Sequence, residues 1–119
     1  MGGEFALLGP RVGVFATPRE VQHEVEPGVR VRYRRSEPPP PYTYAVTVEV
    51  DEGEGQWMTV RLWDNADDMH EHHVHEYTRQ GEKQKPTILK FDSVNEAMAV
   101  ANAEACEKAQ EIVRQWRQS

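Results

Sequence analysis

Four of the chain's five histidines fall within six positions, in the segment His70-Glu71-His72-His73-Val74-His75-Glu76-Tyr77. Directly upstream stands Trp63-Asp64-Asn65-Ala66-Asp67-Asp68, so acids and imidazoles crowd one short stretch. These residue types support two kinds of chemistry. Imidazole and carboxylate ligate divalent transition metals, and catalytic zinc sites use three such ligands with a further position left for water. Imidazole also titrates near neutrality, so two histidines and an acid can supply the base, the acid and the charge stabiliser of a metal-free cleavage. The plainer alternative is a polar outer face, with Asp64 and Asn65 capping a turn.

Spacing decides which of these groups can act together. On a β-strand, successive side chains alternate faces and i, i+2 neighbours lie about 7 Å apart. Read as a strand through about His72 to Tyr77, the segment puts His73, His75 and Tyr77 on one face. His72, Val74 and Glu76 fall on the other, and Val74, its one aliphatic residue, turns that face to the core. The acid–base candidates are therefore Asp64, His73, His75 and Tyr77, with no cofactor. The metal candidates are His70, His72, His73 and His75, with Asp64, Asp67 or Asp68 in reach from the turn and a divalent ion such as Zn as cofactor. No histidine follows His75, so a second pair of ligands downstream is missing.

The elements that must hold this segment are legible from periodicity. Val29, Val31 and Tyr33 alternate with Arg30, Arg32 and Arg34, the period of a half-buried strand whose arginines form a solvated face or edge, or else a site for an anion or acidic partner. Ser36-Glu37-Pro38-Pro39-Pro40-Pro41 is a stiff connector. Tyr44, Val46, Val48 and Val50 make the apolar face of a second strand, with Thr43, Ala45, Thr47 and Glu49 opposite. A glycine-bearing loop, Asp51 to Gln56, then returns the chain through Trp57–Trp63, with Met58, Val60 and Leu62 expected inward. The histidine strand follows, and Gly81 closes a hairpin toward Thr87-Ile88-Leu89-Lys90. Ser93-Val94-Asn95-Glu96 is a capping box, and an apolar stripe from Val94 to Trp116 predicts one long helix. The sum is an α+β domain over residues 29–119. It comprises a mostly antiparallel sheet of about four strands with the C-terminal helix packed on one face. Residues 1–28, rich in Gly and Pro, read as a leader; within it Thr17-Pro18-Arg19-Glu20 suggests a short helical turn.

Composition narrows the classes. Residues 1–41 carry six Arg against five Glu, while residues 42–119 carry eight Lys or Arg against fifteen Asp or Glu. An acidic domain is repelled by a phosphate backbone, so nucleic-acid binding by bulk charge is disfavoured. A single cysteine, Cys106, makes no internal disulfide and fits a reducing, cytoplasmic setting. No apolar run is long enough to span a bilayer, and the first ten residues lack the plan of a signal peptide.

The order Trp63-Asp64-Asn65-Ala66, His72-His73-Val74-His75 and Phe91-Asp92-Ser93-Val94-Asn95-Glu96-Ala97 resembles a group of small bacterial proteins. These have two antiparallel strands, an aromatic-Asp-x-Ala turn, a histidine-rich strand and a closing helix. They include TumE-like toxin components of toxin–antitoxin pairs. The resemblance spans roughly residues 29–117. In such proteins histidines commonly follow the turn directly, where Asp67 and Asp68 stand here. It implies a small cytoplasmic toxin acting on RNA through Asp64, His73 and His75, with a cognate antitoxin as partner. Two other readings stand beside it. One is a non-catalytic module docking a protein through its sheet face, arginine strand or proline run; the other is a histidine-ligated metalloprotein.

Overall fold

Alternation of valines with arginines and threonines builds one antiparallel sheet, and a 24-residue helix closes one side of it. The structure, a computed structural model, describes residues 19–66 and 71–119. In chain order it comprises β1 (Glu20–Glu26), β2 (Val29–Arg35), β3 (Tyr44–Asp51), β4 (Trp57–Asp64), β5 (His72–Glu76), β6 (Thr87–Leu89) and α1 (Val94–Arg117). The strands lie side by side in the same order, every neighbouring pair antiparallel.

The sheet thus has six strands among the described residues, where about four were expected. The unexpected one is β1, drawn from the end of the supposed leader. It pairs with β2 through a two-residue turn at Pro27-Gly28, where proline presets the first dihedral and Gly28 takes φ 82°. Glu20 opens this strand and is not part of a helical turn; Thr17 and Pro18 lie outside the described residues. With β1 outside it, the arginine strand β2 is not an edge.

The core lies between sheet and helix. Val29, Val31 and Tyr33 of β2, with Tyr44, Val46, Val48 and Val50 of β3, are all buried. They meet a helix stripe of small residues, Ala97, Ala101, Ala105 and Ala109, flanked by Met98, Ile112, Val113 and Trp116. Four alanines in register let the helix axis approach the valine surface closely, and the larger residues fill both flanks. The helix starts close to a capping box: Glu96 N–H donates to Ser93 Oγ at 3.1 Å, while the Glu96 carboxylate reaches one residue further back and Asp92 N–H donates to its Oε1 at 3.0 Å.

One irregularity controls everything that follows. In the β3–β4 ladder Val48 pairs with Arg61 but Glu49 pairs with Thr59, so Val60 is an extra residue. Before this bulge Met58 faces the helix with Val50, and Val60 itself is buried. After it the faces exchange: Leu62, expected inward, pairs with Thr47 on the far side, and Trp63 pairs with Val46 in the core. A one-residue shift flips every later side chain of a strand. Asp64 consequently emerges on the face away from the helix.

Candidate functional site

Three rows of side chains cross that open face. Arg30, Glu49 and Thr59 form the first; Arg32, Thr47, Leu62 and His75 the second; Arg34, Ala45, Asp64, His73 and Ile88 the third. Glu49 is 4% exposed, and a buried carboxylate is tolerated only when it is paired. It accepts from Arg30 Nε at 2.7 Å, Arg32 Nη1 at 3.4 Å and Thr47 Oγ1 at 2.8 Å. Arg30 and Arg32 therefore answer an internal acid, which accounts for them without a partner molecule.

The second and third rows bring Asp64, His73 and His75 together, because Asp64 and His73 are direct cross-strand partners and His75 lies two residues along. Asp64 Oδ1 lies 3.8 Å from His73 Nδ1 and 3.5 Å from His75 Nε2. All three ligand atoms sit within 4.8 Å of one another, so the group could hold a metal ion. Their side chains are 16%, 11% and 11% exposed, dry enough to strengthen electrostatics yet reachable from solvent. On its other nitrogen His73 faces a second carboxylate, Glu71 Oε1, at 3.5 Å. His75 Nδ1 is buried without a hydrogen-bond partner among the described residues. Burial holds the His75 pKa below the ordinary histidine value, the Lys83 ammonium and the His73 ring push the same way, and Asp64 opposes them.

The other candidates lie elsewhere. His72 is on the helix face, 3% exposed, and belongs to the core. Its Nδ1 shares a 2.7 Å hydrogen bond with Tyr44 Oη, its ring stacks on Tyr44, and Phe91 meets it edge-on. Tyr77 follows the end of β5 and lines a cavity of 90 Å³ with Val60, Ile112 and Trp116 near the helix C-terminus. His70, Asp67 and Asp68 lie outside the described residues. Asn65, fully buried, accepts from Tyr44 N–H at 2.9 Å and donates to the Tyr42 carbonyl at 3.2 Å. It ties the end of β4 to the start of β3 and so fixes the backbone next to Asp64. Cys106 is inert: burial pushes its thiol up to about 11.

One residue of consequence escaped the sequence reading, and another was read only as part of a group. Glu71 was lost among the surrounding acids; its position one residue before the strand, beside His73, was its signal. Arg34 was grouped with two other arginines and differs from them only in its surroundings. No protein-family model matches the chain, and neither does any curated protein or solved structure.

Proposed function

We propose that the protein binds one divalent transition-metal ion, best Zn²⁺, through Asp64 Oδ1, His73 Nδ1 and His75 Nε2. The observation that carries this is the spacing of those atoms. Tetrahedral ligands at zinc bond lengths stand about 3.4 Å apart, close to the 3.5 and 3.8 Å between Asp64 and the two histidines. Those separations are long for direct hydrogen bonds, so the group is better satisfied by an ion than by itself. Glu71 supports the assignment by position: its carboxylate, 3.5 Å from His73 Nε2, stands on the side where a metal-bound histidine ordinarily meets one. Three protein ligands leave a position for water, which zinc acidifies to a pKa of about 7, giving a nucleophile for hydrolysis.

A second reading has its own observation. A histidine held neutral by burial, beside a carboxylate, is a general base ready at pH 7. With His73 it would cleave RNA without metal, as the TumE-like resemblance implies, and an antitoxin would restrain it. The acidic balance of residues 42–119 weighs against RNA and leaves this reading second.

One experiment separates them. Protein purified without an affinity tag is loaded with Zn²⁺, desalted and analysed for metal, and its induction in a bacterial host is scored for growth. One equivalent of zinc in the native chain, and none in His73→Ala/His75→Ala, is the expected result. Absence of zinc from the native chain, with growth arrest and RNA cleavage that persist in EDTA and vanish in the double variant, would establish the second reading.

A further inference from the structure

The third row of the open face ends in Arg34, a cation that among the described residues has only the charge of Glu20 across the ladder to answer it. Among the described residues the Arg34 side chain makes no ion pair or hydrogen bond, and its buried Nε, like those of Arg32 and Arg61, has no hydrogen-bond partner. Its cross-strand neighbour Glu20 is committed to Arg32, whose Nη2 lies 3.1 Å from Glu20 Oε2. Arg34 borders a cavity of 280 Å³ at the end of the sheet, lined also by Arg35, Ser36, Thr43, Ala45 and Ala66. The Arg34 guanidinium, with the hydroxyl residues Ser36 and Thr43 on the same cavity, is the kind of group that holds an oxyanion. Arg35 is already fixed, 5% exposed, with Nη1 donating to the Ser36 carbonyl at 2.8 Å and its guanidinium over Tyr42. It contributes positive potential, while Arg34 is the group left to bind.

None of the three ligands lines this cavity, but it shares Arg34 and Ala45 with the row that carries Asp64 and His73. Arg34, Ala45 and Asp64 are consecutive cross-strand partners, so Arg34 and Asp64 stand two strand spacings apart, about 10 Å between Cα atoms. Ala45, the residue between them, has no side chain beyond its methyl group, and the floor is low where a ligand would cross. Resting on the metal reading above, we propose that the site takes a small anionic molecule. Its carboxylate or phosphate lies in the Arg34 cavity, and a polar group a few bonds away meets the ion at Asp64, His73 and His75. A cavity this size admits a group of a few atoms.

Two arms test it. In the first, inorganic phosphate and acetate are titrated into metal-free protein and followed by the amide resonances of Ala45 and Ala66. Saturable shifts are expected, with the anion that binds more tightly naming the group. Affinity should be at least tenfold lower in Arg34→Gln and partly restored in Arg34→Lys, with circular dichroism checking that both variants fold. Unchanged resonances, or an Arg34→Gln curve matching the native one, would overturn the proposal whatever the fate of the metal. In the second arm, zinc-loaded protein is offered acetohydroxamate and the monohydroxamate of succinate. The carboxylate-bearing compound should bind at least tenfold more tightly, an advantage abolished in Arg34→Gln. Equal binding of both refutes the bridging ligand alone; zinc absent from the protein refutes the metal reading, and the first arm still decides the anion cavity.

Discussion

At the scale of single residues, the site depends on groups that touch no ion. Glu71 faces His73 Nε2 at 3.5 Å, and such a carboxylate sets the tautomer and orientation of a ligating imidazole. Glu71→Gln is expected to weaken zinc binding by about tenfold, the lower end of the range for such partners because the side chain is 42% exposed; competition against a fluorescent chelator measures it. Lys83 acts through charge, lowering the His75 pKa. Lys83→Met should move that pKa upward, toward the ordinary histidine value, in an NMR titration of the ring protons of metal-free protein. His72 provides the contrast, since its bond to Tyr44 is buried on the other face. Tyr44→Phe removes that hydrogen bond and is expected to lower stability by about 1 kcal/mol in urea unfolding, with zinc stoichiometry unaltered. Of the four histidines in the segment, alternation alone separates His72 from His73 and His75. That Asp64 joins the latter pair could not be read from alternation.

At the scale of elements, the reason is the bulge. Met58, Val60 and Leu62 alternate without a break, so the sequence reads as a regular strand ending at Trp63, with Asp64 in the turn beyond it. The irregular register at Val60 puts Trp63 into the core instead, where its Nε1 donates to Glu104 Oε1 of α1 at 3.0 Å. Burial of the larger indole outweighs that of Leu62, and no local motif announces the exchange. β1 was missed for a related reason: Glu20–Glu26 offers only Val21 and Val25 as aliphatics, and an edge strand needs little more. Where the signal was strong, in β2, β3, the Ser93 cap and the helix stripe, expectation and structure coincide. The helix stripe carries its own prediction. Ala105 is 0% exposed and sits against the sheet, so Ala105→Leu overpacks the layer and is expected to cost about 1–3 kcal/mol. Val100, 41% exposed on the same helix, should change stability by no more than about 0.5 kcal/mol when replaced by alanine. Urea unfolding of the two variants compares them directly.

At the scale of the whole molecule, proton and metal linkage act through the same face. His75 has a folded pKa below its ordinary 6.5 and Glu20 one below 4.5, so the unfolded chain binds protons more readily at both. Their contributions are present above those values and are lost as pH falls through the folded ones. On the alkaline side Cys106 is raised from 9.0 to about 11 and Tyr33 from 10.0 to about 12, both chiefly by burial. Here the unfolded chain ionises first, and stability is lost as pH rises from the unfolded values through the folded ones. Stability of the metal-free protein should therefore form a plateau between about pH 6.5 and 9 and fall on both flanks, and Cys106→Ala should soften the alkaline limb. Zinc adds to the plateau by mass action. At free zinc of about 100 times Kd the native state gains about 2.7 kcal/mol, and the gain should shrink below pH 6 as protons compete for His73 and His75. Thermal unfolding with and without zinc across this range measures it, and a gain that survives in His73→Ala/His75→Ala would mean that the ion sits elsewhere.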